Sequence, residues 1–292
     1  MAGLTRLDLD VKAAPNDPAP SWAGLEQLPQ LRRLEAYGSL PPEAWLCPHL
    51  TALRCLNVTE TAGNRVLSAP PVVACTGLRQ LGFNSCGFAG PALSGALCSS
   101  LQQLTGLGLL RCTLLMSAPI DSGISQLGSL RLLDLEGTPL PLDACAVLRP
   151  LRSLTNLRLC GCDLDSLPLG ACINSLISLD IQRNPFDTPV PSEVTAASRL
   201  RALSIEFYPE AASDEGWEEL RSRLVCLRRL EELYLMGCSV DPSVPRHRLV
   251  VDPAAQALAA RLRAECGCNV LFNKELFLHP EFGGLNWRDE AL

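Results

Sequence analysis

The spacing Leu-x-x-Leu-x-Leu, with another apolar residue admitted at its last place, recurs through most of this chain. It begins at Leu4, Leu7, Leu9 and at Leu31, Leu34, Ala36, then at Leu53, Leu56, Val58 and at Leu78, Leu81, Phe83. The middle carries Leu104, Leu107, Leu109, then Leu130, Leu133, Leu135, then Leu154, Leu157, Leu159. Leu176, Leu179, Ile181, then Leu200, Leu203, Ile205, and finally Leu230, Leu233, Leu235 complete ten copies, spaced 22 to 30 residues apart. An apolar residue often stands three places upstream as well, as at Leu101, Leu127, Leu151 and Leu227. Leucine supplies 57 of the 292 residues, an excess that points to a periodic architecture.

The last two apolar places of each copy lie two residues apart, so they share one face of a short strand. One such strand cannot fold alone. Stacked copies can, because each leucine that a neighbour removes from water contributes about 1.5–3 kcal/mol. The remaining ~15–20 residues of a unit return the chain to start the next strand in the same direction, which makes the sheet parallel.

The charge balance narrows the function. With 25 basic against 31 acidic side chains the formal charge is -6, which argues against a nucleic-acid partner held by phosphate neutralisation. No stretch approaches the roughly 18 uninterrupted apolar residues of a membrane span, so no membrane association is expected. Asp8, Asp10 and Lys12 interrupt the start, which leaves no apolar signal core.

The repeat resembles that of the leucine-rich-repeat superfamily, with a mixture of cysteine-containing and leucine-proline units, over roughly residues 1–240. The family motif continues with Asn or Cys at the ninth place and a leucine-like residue at the eleventh. Here those places read Cys86 and Phe88, Cys112 and Leu114, Cys162 and Leu164, Asn184 and Phe186, and Cys238 and Val240, with Thr138 and Leu140 in the sixth copy. The resemblance implies that the ninth side chain hydrogen-bonds the backbone where the strand turns away. Lys12, Ser39, Thr61 and Tyr208 depart from the pattern.

The implied fold class is α/β: a leucine-rich-repeat solenoid, a curved horseshoe with parallel strands on the concave face and mixed helical and extended returns on the convex face. Helical returns are expected at Pro91 to Gln103, Leu142 to Leu148 and Asp214 to Leu227, the last with Ser213 as N-cap and Trp217, Leu220, Leu224 and Leu227 on one stripe. Leu164 to Pro168 resembles a shorter, extended linker.

Two domains are expected: a solenoid of about ten repeats over residues 1–250 and a C-terminal cap over 251–292. Asp252-Pro253 reads as N-cap and first helical residue, Ala254 to Cys266 as a helix closed by Gly267, and Asn269 to Phe272 as a final strand. Phe277, Phe282 and Trp287 follow, as a cap over the last repeat or a docking peptide. The first copy starts at Leu4 with no room for a cap, so an upstream continuation or a covering partner is expected.

Little in the sequence suggests catalysis. Four of the fourteen cysteines occupy ninth places, and Cys75, Cys98, Cys145 and Cys226 fall in apolar or helical slots, where cysteine acts as a small hydrophobe. Cys160-Gly161-Cys162 and Cys266-Gly267-Cys268 lack zinc-finger spacing, and alternate residues on a strand point apart. Cys47-Pro48-His49 is a weak thiol–imidazole pair, and no phosphate loop, nucleophile elbow or metalloprotease motif occurs. Asn57-Val58-Thr59 fits a glycosylation acceptor but falls on a strand, and Arg246-His247-Arg248 reads as a solvated loop. No cofactor, metal or catalytic residue is expected; reduced thiols fit a cytoplasmic protein, with cytoskeletal or axonemal association an option.

In the family the third, fifth and seventh places of each copy line the concave surface, the usual binding site. Carried onto this sequence they present the acids Asp8, Asp10, Glu35, Asp134, Glu136, Asp180, Glu206 and Glu232 against the bases Arg6, Arg33 and Arg158, eight to three. Gly82, Gly106, Gly108, Leu110, Leu132 and Cys160 form a small apolar patch between the acidic zones, and Tyr37, Tyr234 and Met236 add larger groups. Ten strands at ~4.8 Å make an edge of roughly 43 Å, room for an interface of ~800 Å² per partner.

The expected function is a non-enzymatic interaction scaffold, monomeric by itself. It would bind a protein or peptide with basic groups through Asp8, Asp10, Glu35, Tyr37, Leu110, Leu132, Asp134, Glu136, Arg158, Asp180, Glu206 and Tyr234. The alternative is a regulatory subunit of an enzyme complex, such as a substrate receptor of a ubiquitin ligase, although no F-box is visible.

Overall fold

The structure is a computed structural model that describes residues 3–10, 24–37, 44, 46–56, 75–88, 95–114, 122–140, 144–207, 214–237 and 251–272. The chain divides into two compact units, Met1–Leu154 and Thr155–Leu292.

The first unit is built on β1 (Arg6–Asp10), β2 (Arg33–Tyr37), β3 (Ala52–Leu56), β4 (Gln80–Asn84), β6 (Gly106–Leu110) and β8 (Leu132–Asp134), paired in that order and all parallel. Two short strands, β5 (Gly87–Phe88) and β7 (Thr113–Leu114), pair separately just beyond the ninth places. The returns are 3-10 turns at Leu25–Gln27 and Ser122–Gln126 and the helices α1 (Gly95–Ser100) and α2 (Ala144–Leu148). The second unit repeats the plan with β9 (Asn156–Arg158), β10 (Ser178–Asp180), β11 (Ala202–Glu206), β12 (Glu232–Met236) and β13 (Asn269–Phe272). Its returns are 3-10 turns at Gly170–Ser175 and Ser192–Ala196 and the helices α3 (Asp214–Val225) and α4 (Pro253–Cys266).

Pairing is in register, so each place of the motif lies beside the same place of its neighbours. Leu81, Leu107 and Leu133 align, as do Leu157, Leu179, Leu203 and Leu233. All seven are wholly buried. The upstream leucines Leu101, Leu127, Leu151 and Leu227 close the core from the return side and are equally inaccessible.

The third copy corrects the sequence reading. Leu53 pairs with Leu34, and Cys55 with Ala36, so the copy runs Leu50, Leu53, Cys55 and not Leu53, Leu56, Val58. The reason is burial. Leu50 and Cys55 are completely enclosed, and a cysteine fills the small sixth slot that Ala36 fills in the copy before. The shift places Arg54 at the fifth place; Asn57, Val58, Thr59 and Thr61 lie outside the described residues.

Helices form where the spacing predicts them: α2 ends at Leu148 as expected, while α1 ends at Ser100 and α3 at Val225, short of Gln103 and Leu227, and residues 91–94 and 142–143 lie outside the described residues. Ser213, proposed to cap α3, lies outside the described residues. Helix α4 begins as expected: Asp252 Oδ1 accepts hydrogen bonds from the amides of Ala254 (2.7 Å) and Ala255 (3.3 Å), and Pro253 occupies the first turn. Gly267 ends it at φ 71°, a left-handed geometry that glycine adopts without steric cost. Arg221 of α3 reaches Glu265 of α4 at 2.6 Å and also pairs with Glu218, while Arg261 of α4 returns to Glu218 at 3.3 Å. Phe277, Phe282, Trp287 and Arg246 to Arg248 lie outside the described residues.

The ninth place does what the resemblance implies wherever it is described. Thr138 Oγ1 donates to the Leu109 carbonyl at 2.5 Å and accepts from the Cys112 amide at 3.0 Å. The thiols of Cys86 and Cys112 point at the carbonyls of Cys55 and Phe83, each at 3.6 Å. Asn184 does most: its Nδ2 donates to the carbonyls of Leu159 (2.8 Å), Ile181 (2.9 Å) and Gln182 (3.1 Å), and its Oδ1 accepts from the amides of Cys162 and Leu164, both at 3.1 Å. The eighth place prepares this turn. Ser85, Arg111, Gly137, Arg183 and Gly237 hold positive φ between 50° and 81°, which swings the next side chain inward.

Replacing Asn184 by alanine strips partners from five backbone groups, so urea unfolding should show a loss of at least about 2 kcal/mol. The control Asn174→Ala, at an exposed turn, should change stability by less than about 0.5 kcal/mol.

Candidate functional site

The third, fifth and seventh places of every strand point away from the leucine core and make a second face on each unit. In the first unit that face carries Arg6, Asp8, Arg33, Glu35, Tyr37 and Arg54. Arg6 reaches Asp8 at 3.1 Å and Glu35 at 3.9 Å, and Arg54 meets Glu35 at 3.3 Å. Tyr37 donates to Glu35 Oε1 at 2.9 Å; that hydrogen bond, then partial burial, raises its phenol above the usual value. Asp8 and Tyr37 are exposed and Glu35 is half-buried. Asp10 pairs with Tyr37 in the β1–β2 ladder. Arg54, hidden from sequence reasoning by the misplaced third copy, raises the bases among these places from three to four.

Further along the first unit, Leu110 is half-buried while Leu132, Asp134 and Glu136 are buried at 2%, 3% and 5% exposure. The expectation that these places are exposed fails here for a physical reason: the acids are tied down. Asp134 Oδ1 accepts the Glu136 amide at 3.1 Å, and Glu136 Oε1 accepts from Arg111 Nη2 at 3.1 Å. Arg111 lies at the left-handed eighth place, which is why its guanidinium can reach the following strand's acid.

The second unit's face is more enclosed. Arg158 and Asp180, placed there by the sequence, form a buried pair with Nε to Oδ2 at 3.1 Å, and their side chains are 7% and 1% exposed. Asp180 Oδ1 also accepts the Gln182 amide at 3.2 Å, and the Gln182 side-chain amide donates to Ser204 Oγ. Asn156 and Ser178 flank this row, 1% exposed each. Tyr234, expected to be exposed, is buried against Ala202 and Leu271 with its hydroxyl on Glu232 at 2.7 Å; burial first, then that bond, raises its phenol. Glu206 and Glu232 remain half-buried and define the acidic part that solvent reaches. Five parallel strands at close lateral spacing press the central side chains together, and among the described residues Asn156 Nδ2 and Ser178 Oγ are buried there without a hydrogen-bond partner.

The candidate chemistry is recognition. Burial pushes the Cys75 thiol up to about 11 and those of Cys112 and Cys268 up to about 12, while a hydrogen bond with Cys86 and burial raise Cys55. Thiols held protonated are poor nucleophiles. Among the described residues no group of three His, Cys, Asp or Glu side chains could hold a metal ion, and no helix is long and apolar enough to cross a membrane.

No family model and no curated protein matches the sequence. Solved structures do. The mouse RP105/MD-1 complex aligns with a TM-score of 0.60 and 21% identity over 89% of this chain and 45% of that one. An internalin, inlF of Listeria monocytogenes, aligns at 0.52 and 18% identity over 74% of this chain and 57% of that one. The fold is that of the leucine-rich-repeat solenoid. A TLR13–ssRNA13 complex aligns at 0.53 and 19% identity, over 72% of this chain and 32% of that one. The chain spans 57% or less of the length of each of these three structures.

Replacing Arg158 with methionine leaves Asp180 buried without its countercharge. Urea unfolding should show a loss of about 3–5 kcal/mol, and adding Asp180→Leu should restore much of it. A loss under about 1 kcal/mol in the single variant would mean the pair does not hold this face.

Proposed function

We propose that this protein is a non-enzymatic recognition module that binds a partner polypeptide through the second face of its strands. The observation that carries the reading is the division of labour between the two faces: leucines fill one, whereas the other repeats charged, amide and aromatic side chains. A sheet needs only one apolar face to fold, so the polar groups that solvent reaches on the other are available for a ligand. The Arg158–Asp180 and Gln182–Ser204 contacts fix that surface in advance, which lowers the entropy lost on binding.

The accessible acids, Asp8 and Glu35 in one unit and Glu206 and Glu232 in the other, favour a partner with basic groups. The TLR13 relative is a complex with single-stranded RNA. Here the net charge of -6 favours a polypeptide over a polyanion. The thiols, with no disulfide among the described cysteines, support a reducing, intracellular setting.

The test begins with affinity purification of the partner, followed by titration against wild-type protein and an Asp8→Lys/Glu232→Lys variant. Asp8 is exposed, whereas Glu232→Lys gives up the bond to the Tyr234 hydroxyl, so Glu232→Gln, which keeps an acceptor there, serves as the fold control; affinity for a basic partner should fall at least about tenfold in the lysine variant. Unchanged affinity would overturn the reading.

A further inference from the structure

The leucine that opens each copy is followed by a second-place residue, at the edge where the chain enters its strand. In the first unit these residues are Thr5, Arg32, Thr51, Arg79, Thr105 and Arg131, threonine and arginine in strict alternation. Backbone hydrogen bonds join them into one row. The amides of Arg32, Thr51, Arg79, Thr105 and Arg131 each donate to the carbonyl of the preceding member, at 2.8 to 2.9 Å. The Oγ1 atoms of Thr51 and Thr105 also donate to the Arg32 and Arg79 carbonyls, each at 3.1 Å. Neighbouring strands lie ~4.8 Å apart, so arginines on alternate strands recur at roughly 10 Å.

The turns that lead into these strands keep the same sign. Residues 28–32, 47–51, 75–79, 101–105, 127–131 and 148–154 include Arg32, Arg79, Arg131, Arg149 and Arg152 and no carboxylate. All but Arg32 of these arginines are exposed. Arg32 is half-buried, and its guanidinium donates to the carbonyls of Pro29, Leu31 and His49, neutral acceptors that leave its charge uncancelled. Among the described residues Arg79, Arg149 and Arg152 have no carboxylate partner. In a chain of net charge -6 this is a segregated basic edge. The second unit, taken by itself, shows the same bias. Its segments 197–201 and 226–231 carry Arg199, Arg201, Arg228 and Arg229 against Glu231, whose two oxygens Arg201 holds at 2.7 Å each.

We propose that the basic edge of the first unit docks an extended acidic segment of a partner polypeptide. This adds a second surface to the recognition reading and does not require the first. The edge itself selects the occupant. Guanidinium forks match carboxylates, and in a polyproline II segment every third side chain returns to the same side after ~9.3 Å, close to the interval of the arginines. The row is narrow: Asp8 and Glu35 stand three residues further along β1 and β2, about 10 Å away. A duplex or an anionic bilayer broad enough to cover the row would meet those acids. A single-stranded nucleic acid is narrow enough, but it binds through aromatic platforms for its bases, and the edge segments contain no Phe, Tyr or Trp.

The test titrates the full ¹⁵N-labelled chain, at about 0.1 M salt, with a capped peptide of four Glu-Pro-Pro repeats. Its amide shifts should fall at Gly77, Arg79, Thr105 and Arg131. A Gln-Pro-Pro peptide of equal length should bind at least about tenfold more weakly, and a peptide of the same composition with its glutamates adjacent severalfold more weakly. Arg79→Gln should weaken the spaced peptide severalfold and Arg79→Gln/Arg131→Gln at least about tenfold, with Arg79→Gln melting as wild type. Arg261→Gln removes the same charge from α4 and should change affinity less than about twofold. Asp8→Lys/Glu232→Lys should bind the peptide no more weakly than wild type; weaker binding would place it on the second face and overturn the edge. Equal binding of the glutamine or the adjacent-glutamate peptide, an equal loss in Arg261→Gln, or tighter binding of decauridylate would overturn it as well.

Discussion

In-register parallel pairing is the constraint from which the other features follow. Because Leu157, Leu179, Leu203 and Leu233 lie side by side on successive strands, each is buried by its neighbours and by the return segments behind them. No single copy closes a core. The energetic unit is the row, and that makes the copies interdependent in the way nearest-neighbour models of repeat proteins describe. The same register dictates the turn: once a strand ends, an eighth residue in left-handed geometry and a ninth with a hydrogen-bonding side chain must carry the chain away without orphaning carbonyls. Thr138, Asn184 and the thiols of Cys86 and Cys112 are three chemical answers to that one demand.

Register also decides what the second face can be. Placing Arg158 and Ser204 on either side of Asp180, with the Gln182 side chain reaching diagonally to Ser204, turns residues that read as surface groups into a buried polar seam. Burying such a pair is costly in desolvation and contributes little net stability compared with an apolar pair. Its effect is to fix geometry. In the same unit Glu206 and Glu232 are still reached by solvent, as Asp8 and Glu35 are in the first unit. Counting charges along the motif therefore overstates the accessible acidity, because Asp134, Glu136 and Asp180 are engaged within the fold.

Much of the fold was legible because its signal is periodic. The spacing of the leucines located all but one of the core strands correctly, and Asp252-Pro253 with Gly267 marked both ends of α4. The third copy was misplaced because Leu53, Leu56 and Val58 mimic the motif more closely than Leu50, Leu53 and Cys55; only pairing with β2 distinguishes them. That slip concealed Arg54. The left-handed eighth place was visible as Gly137 and Gly237 but disguised by Ser85, Arg111 and Arg183. Burial on the second face depends on lateral packing between copies, which spacing along one chain does not encode. Arg223 illustrates the point: it meets Thr188, thirty-five residues away, and nothing near either residue announces the other.

Amide hydrogen exchange, resolved by residue in the native protein, tests the central claim most directly. If rows of leucine hold each unit, the slowest amides lie on the strands, at 33–37, 52–56, 80–84 and 106–110 in the first unit and 202–206 and 232–236 in the second. Within a unit they should exchange as a group, because one row cannot open alone. Protection confined to α3 and α4, with strand amides exchanging freely, would contradict the account.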